Sequence, residues 1–328
     1  MRRTATLEHA TGRRKRTFVI GMALGVAALV VGCVSVPHSV GSSTSAQLFP
    51  MSPFDQSVSS RPVSPVSAGL VASLVSQYQT HYGSIGVNRM PVLAVSGTQP
   101  PVNVSVKTGC WNFVPSTGLV PIPAGAYNTN TSDDAMIVYQ PATGRDWELW
   151  RTSVDAKGNW SACWGGGLTT TNSNGVFPYP FGQSASGISH LATTITEADV
   201  ASGQINHAIA MQVVTCNGYV APADRSDCGL HLGSPPEGTW FRMPATTPTP
   251  SGLTPFAQMV FRALKSYGAV VLDRAGAVMI EAEDSRDWAF DGNSGTDPIT
   301  TSWAGQPEYA VLNGMPWSHL QVISPPRF

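Results

Sequence analysis

The chain is poor in charge and in recognisable catalytic signatures. It has no G-x-x-x-x-G-K loop, no G-x-G-x-x-G, no H-E-x-x-H and no G-x-S-x-G. These absences argue against a P-loop nucleotidase, a dinucleotide-binding domain, a helical zinc protease and a nucleophile-elbow hydrolase, because each chemistry needs its residues at that spacing. Gly292-Asn293-Ser294-Gly295 lacks the neighbouring Asp and the upstream His motif that a serine protease would need. No internal repeat is visible, which disfavours propellers and solenoids. Only 12% of residues are charged, with Lys+Arg 19 against Asp+Glu 20. Six of the basic residues and a single acid, Glu8, precede Cys33, so the remainder has a net charge of −6. A chain without a basic patch is not expected to bind nucleic acid. Cysteine is scarce too. There are 5, with no C-x-x-C pair, which weakens a zinc reading.

What is present begins at the N-terminus. Arg13, Arg14, Lys15 and Arg16 precede an apolar run from Phe18 to Val31, closed by Gly32 and Cys33. A basic flank, an apolar stretch and small residues form an export signal, here expected over residues 1–32. The run is short for a membrane span, which needs about 20 residues. The cysteine in that place resembles the lipobox of bacterial lipoproteins, which implies lipidation of Cys33 and membrane contact only through that anchor. A cleaved secreted protein and an uncleaved anchor are the second and third readings. Setting Cys33 aside leaves Cys110, Cys163, Cys216 and Cys228. Four cysteines allow three pairings. Cys216–Cys228 would close a short polar loop, leaving Cys110–Cys163, and disulfides suit an oxidising compartment.

Residues 33–66, rich in Ser, Val and Pro, read as a flexible tether, and residues 67–328 as one β-rich domain. Leu70, Leu74 and Tyr78 recur at helical spacing and predict a helix over 67–82. Further short helices are expected at 197–202, capped by Thr196 and stopped by Gly203, and at 255–267, with Thr254 as cap and Pro255 in the first turn. Strand patterns cover 92–95, 102–106, 136–140, 147–152, 160–164 and 207–214. A second hairpin is expected from 269–272 and 278–281 around Asp273-Arg274-Ala275-Gly276. Frequent short strands with two or three short helices predict a mainly β fold, with a β-sandwich or jelly-roll-like core.

The richest stretch is the hairpin from Tyr139 to Arg151. Alternation along a strand puts Asp146, Glu148 and Trp150 on one face, and Trp147, Leu149 and Arg151 on the other. A carboxylate beside an indole equips a sugar-binding cleft: the ring covers a sugar face, and the acid accepts hydroxyl hydrogen bonds or moves a proton. Tyr139, Gln140, Trp147 and Trp150 are therefore candidate substrate-binding residues. Glu148, Asp133 and His207 are candidate catalytic residues, for a glycoside hydrolase with paired acids or for a polysaccharide lyase with His207 and a tyrosine. The competing reading places the tryptophans in the core, pairs Glu148 with a nearby arginine and satisfies His207 through backbone groups. His190 is a weaker candidate. Glu281 and Glu283 read as a solvated strand edge.

Pro121-Ile122-Pro123, Tyr139-Gln140-Pro141 through Trp147-Glu148-x-Trp150, and Gly203-x-Ile205-x-His207-Ala208 recur in this order. With Pro236-Glu237-Gly238-Thr239 and Tyr267-Gly268-Ala269-x-Val271-x-Asp273, this pattern resembles a family of exported actinobacterial proteins. The resemblance covers most of residues 90–283. That family carries no established activity, so the resemblance implies the compartment and a single domain and transfers no catalytic residue. No cofactor is expected, although Asp287, Asp291 and Asp297 offer oxygen ligands at a loop spacing that calcium could use. The sequence thus points to an exported, lipid-anchored envelope protein that binds or cleaves a polysaccharide. It leaves open a non-enzymatic envelope protein that serves structure or partner binding.

Overall fold

The computed structural model describes residues 48–110 and 118–325. The expected signal, Cys33 and the first part of the expected tether lie outside the described residues. All described residues belong to one compact unit. No helix among them is long and apolar enough to cross a membrane.

The protein is mainly β. Its described strands are β1 (Gly86–Met90), β2 (Val92–Ala94), β3 (Val102–Val106), β4 (Leu119–Val120), β5 (Met136–Gln140), β6 (Arg145–Trp150) and β7 (Ser153–Val154). There follow β8 (Trp160–Ala162), β9 (Trp164–Thr169), β10 (Ile209–Val213), β11 (Trp240–Arg242), β12 (Ala269–Arg274), β13 (Met279–Glu283) and β14 (Gln321–Ile323). The short helices are α1 (Ser67–His81), α2 (Glu197–Ser202), α3 (Pro255–Ser266), α4 (Arg286–Phe290) and α5 (Pro298–Ser302). One six-stranded sheet has the order β1-β13-β10-β12-β11-β14, a second runs β2-β5-β6-β9, and a third β4-β3-β8-β7.

The layers follow from alternation along the strands. One face of the six-stranded sheet carries Ile209, Met211, Val271 and Ile280, packed with Val71 and Leu74 of α1, Phe256, Val260 and Leu264 of α3 and Ile299 of α5. Its other face, with Ala210, Trp240, Val270 and Leu272, meets Ile137 and Leu168 of the second sheet and the inserted rings of Phe54 and Phe177. The far side of the second sheet, through Met136, Val138, Trp147 and Leu149, packs on Val104, Val120 and Ala162 of the third. Each large apolar side chain buried in this sandwich-like stack contributes about 1.5–3 kcal/mol.

Local signals set the element ends as expected. Thr196 and Asp199 form a capping box on α2, and Gly203 ends it in the left-handed region. Thr254 caps α3 ahead of Pro255. Gly144 turns the β5–β6 hairpin at φ +61, where an added Cβ would stand 3.1 Å from Thr170 Oγ1.

Two expectations are corrected. The tether ends earlier than 66, because Phe49, Phe54 and Val58 are buried. Phe54 stacks on Trp240 at 5.5 Å, and Val58 N donates to Ser266 O at 2.7 Å. A few aromatic and apolar side chains outweigh a Ser/Pro-rich background. The strands flanking Asp273-Arg274-Ala275-Gly276 do not form a hairpin. Strand β10 lies between them, parallel to β12 and antiparallel to β13. All five residues of β10 are buried, so it takes a central position that the local turn signal does not specify.

Candidate functional site

The β5–β6 hairpin forms in the register Ile137↔Glu148, Val138↔Trp147 and Tyr139↔Asp146. It presents Asp146 and Glu148 to one face, as alternation requires. That face is dry, for both carboxylates are fully buried against the segment 184–195 that fills the space between the first two sheets. Glu148 Oε1 accepts from Ser189 Oγ at 2.7 Å and from Leu191 N at 3.0 Å, while Ser189 Oγ also reaches Asp146 Oδ2 at 3.3 Å. Beyond Ser189, His190 Nδ1 lies 2.8 Å from Glu281 Oε1. Thr194 Oγ1 donates to that same oxygen at 2.5 Å, and Gln212 Nε2 to Glu281 Oε2 at 3.4 Å. A polar strut therefore runs from the second sheet to the first, through Ser189 and His190.

Electrostatics hold the strut together. Burial would strip the proton from His190, but Glu281 and then Glu148 overcome it and hold the imidazole up to about 10. Burial raises the Glu148 carboxyl, against the pull of His190, the Leu191 N–H and Ser189. Burial and the neighbouring Glu148 charge raise Asp146 well above the ordinary carboxylate range. Asp146 Oδ1 and Glu148 Oε2 have no hydrogen-bond partner. Two adjacent carboxyls, each with one oxygen unsatisfied, can share a proton. Buried away from solvent, they serve as a joint between sheets and cannot meet a polymer.

The three catalytic candidates do not converge. Glu148 lies inside. Asp133 is exposed at the entry to β5, where its Oδ1 accepts the Trp150 indole N–H at 3.0 Å. His207, next to Ala208 at the start of β10, places Nε2 3.1 Å from Asp199 Oδ2 and Nδ1 2.9 Å from Ala208 O. Burial pulls the His207 pKa down, and Asp199 with the Ala208 carbonyl carries it above the usual value. The ring is thereby committed to the α2 capping box. Among the binding candidates, Trp147 is buried between the second and third sheets under the Arg145 guanidinium, 5.1 Å away. Gln140 is buried, donating to Ser96 O at 2.8 Å and accepting from Thr143 Oγ1 at 2.7 Å. Tyr139 is half-buried, and burial raises its phenol. A Trp147–Glu148 groove therefore does not form, because adjacent residues on a strand face opposite layers and both layers are covered.

Strand β6 is buried along its middle and less so at its two ends, Arg145 and Trp150. Trp150 is half-buried and pairs across the strands with the half-buried Trp164 of β9. Arg151 lies over the Trp150 ring at 4.9 Å, and Asp133 holds its N–H.

A second acid group surrounds α4. Glu283 Oε2 accepts from Glu197 N at 2.7 Å, and Asp287 accepts from Val92 N at 2.8 Å and from the Tyr127 hydroxyl. Burial, followed by Asp297, Asp287 and Asp291, pushes Glu197 up to about 9; burial takes Asp287 and Asp291 up to about 7. Asp291 borders a recess of about 170 Å³ with Gln99, Pro123 and Phe290. Of the three calcium candidates, Asp297 is spent on the N-terminus of α5, accepting from Ile299 N at 3.0 Å and Thr300 N at 2.7 Å, and Asp287 is spent on Val92 and Tyr127. Glu281 and Glu283, expected at a solvated edge, are buried because β13 is flanked by β1 and β10. Among the described residues, the donor atoms of Cys216, Asp227, Cys228 and Glu237 lie within 4.8 Å of one another, with the two sulfurs joined as a disulfide.

Both expected disulfides are present, Cys110–Cys163 and Cys216–Cys228. Sequence reasoning undervalued His190, Glu281 and Glu237, whose only signal was an ionisable residue next to a strand pattern. No family model, no curated protein and no solved structure matches the chain.

Proposed function

We propose that this chain is an exported, lipid-anchored envelope protein that binds a polysaccharide and does not cleave it. The observation that carries the reading is the corner where β6 ends: Trp150, half-exposed beside Trp164, with Asp133 on its indole N–H and Arg151 over its ring. A flat ring edged by a carboxylate and a guanidinium can cover a sugar face and exchange hydrogen bonds with its hydroxyls. Binding without cleavage follows from the acids. Glycoside hydrolysis needs two carboxyls about 5–9.5 Å apart astride one bond, whereas Glu148 is sealed inside, out of reach of a polymer bound at the exposed Asp133. Two disulfides suit the oxidising space outside the membrane, and lipidation of Cys33 would keep the domain there.

Retention on immobilised cell-envelope polysaccharides tests the reading. The native chain is expected to be retained and Trp150→Ala to lose about tenfold in affinity, the usual scale for one aromatic contact, with an unchanged circular-dichroism spectrum. Absence of native retention on every envelope polysaccharide, or equal retention of the variant, would overturn it. Release of new reducing ends would overturn the non-cleaving part alone.

A further inference from the structure

We propose that Cys216–Cys228 is an exchangeable disulfide, in which Cys228 receives attack by an external thiolate and Glu237 supplies the proton to the departing Cys216. This step is independent of the Trp150 corner.

The two sulfurs occupy different environments. Cys216 is fully buried in the main core, whereas Cys228 is half-exposed on a loop. Attack is therefore directed to Cys228, and Cys216 becomes the leaving sulfur inside the protein. Glu237 Oε1 lies 3.8 Å from Cys216 Sγ, and its other oxygen, Oε2, is buried without a partner. The same carboxyl also meets Asp227, the residue before Cys228, so the acid stands between the two ends of the disulfide.

The backbone fixes the pair. Glu237 N donates to Gly218 O at 3.0 Å and Val220 N donates to Glu237 O at 2.8 Å, which ties the acid to the disulfide loop. Gly238, at φ +84, follows it. A Cβ there would fall 1.8 Å from Val220 O, so only glycine permits this approach. On the other side, Gln77 of α1 accepts from Val214 N at 2.9 Å and Thr215 N at 3.0 Å, anchoring the chain just before Cys216.

The protonation state suits the role. Burial, then the charges of Asp273 and Asp227 and a side-chain hydrogen bond with Asp227, raise Glu237 up to about 10, with Arg274 opposing and the Arg225 guanidinium also within its field. Glu237 therefore carries its proton at neutral pH. In the first step the external thiolate bonds to Cys228 Sγ as the S–S bond breaks and its electron pair leaves on Cys216 Sγ. The Glu237 proton moves to that sulfur, giving a thiol and a carboxylate. A second external thiolate then attacks the external sulfur of the mixed disulfide, the bond to Cys228 Sγ breaks, and the released Cys228 thiolate takes a proton from solvent. Two external thiols are oxidised to one disulfide, and the protein disulfide is reduced to two thiols. In reverse, the Glu237 carboxylate takes the Cys216 proton as that sulfur attacks. Among the described residues, neither sulfur of Cys110–Cys163 has a side-chain hydrogen-bond partner, so the chain carries its own reference.

The test uses the intact chain, with chelator present, exposed to reduced glutathione or to an unfolded cysteine peptide at pH 6, 7 and 8, then alkylated and mapped by mass spectrometry. Cys216–Cys228 is expected to open about tenfold faster than Cys110–Cys163. Glu237→Gln should slow Cys216–Cys228 about tenfold and change its pH profile, leaving Cys110–Cys163 unchanged. Reaction with glutathione alone identifies a small-thiol substrate, and faster reaction with the peptide a polypeptide one; either supports exchange. Equal opening of the two native disulfides overturns the proposal without any variant. An unchanged rate and pH profile in Glu237→Gln removes the role of the acid.

Discussion

Two of the places where the protein buries carboxylates make them tolerable in opposite ways. In the strut between the first two sheets, Glu281 and Glu148 lie beside His190, which keeps its proton and supplies positive charge. Around α4, Glu197 and Glu283 face Asp287 and Asp291, and the charges that act on Glu197 and Glu283 are all acidic. There burial and mutual repulsion retain protons on the acids themselves. A buried carboxyl can be stabilised by a cation with donors or by staying neutral, and only the first solution binds two layers together.

The largest expected effect breaks this comparison at its cation. His190→Ala leaves Glu281 and Glu148 buried beside nothing positive, which should cost about 3–5 kcal/mol and lower the melting temperature by about 10 °C. Glu197→Gln keeps an acceptor for the local N–H groups and removes a repelling acid. It should be neutral or stabilising, by on the order of 1 kcal/mol at pH 8. Scanning calorimetry of both variants decides. Equal destabilisation would mean that the α4 acids also depend on a charge, and the contrast would be lost.

A middle-sized effect is the pH dependence. Glu197 at about 9 and Asp287 and Asp291 at about 7 all stand above their unfolded values near 4. A group whose folded pKa is raised contributes stability that is complete below its unfolded pKa and is lost as pH rises through its folded one. His190, raised from 6.5 to about 10, adds loss in the same direction on the alkaline side. The melting temperature should therefore fall steadily from pH 5 to pH 9, with the steepest part between about 5 and 7, where all three carboxyls contribute, and Glu197→Gln should flatten that slope. A melting temperature that rises over this range would show that these carboxyls are ionised in the native protein.

The same contrast explains how much was legible in the sequence. Alternation, caps and turn residues gave the β5–β6 hairpin, α2 and α3, because those signals are local; the short Cys216–Cys228 loop is local too, and Cys110–Cys163 followed only by elimination. Alternation also put Asp146 and Glu148 on one face correctly. It carried no information on what covers that face, which depends on the distant residues 184–195. Pairing of β10 between β12 and β13, and hence the burial of Glu281, likewise follows from long-range competition for the central position. A carboxylate in a strand reads as exposed until its partner is known, and His190 lies in a segment without periodicity. Asp287, Asp291 and Asp297 offer oxygen ligands at a usable loop spacing, but spacing does not reveal that Asp297 is taken by backbone N–H groups and Asp287 by Val92 N and the Tyr127 hydroxyl.

The smallest stability effect lies at the other end of the strand that enters the strut. Asp133 is exposed, and its side-chain contact with Trp150 is a single solvent-facing hydrogen bond. Its backbone carbonyl, which accepts from Arg151 N at 2.7 Å, survives any side-chain change. Asp133→Ala should therefore alter stability by no more than about 0.5 kcal/mol. If the Trp150 corner binds glycan, the same variant should weaken retention on envelope polysaccharide several-fold, because the indole loses its orienting partner and the sugar loses an acceptor. Glu148→Gln, two residues from Trp150, should do the reverse and leave retention intact, since its contacts are all interior. Weakened retention in Glu148→Gln with native-like melting would return the acid to the binding surface and erase the distinction between the dry middle of β6 and its half-buried end at Trp150.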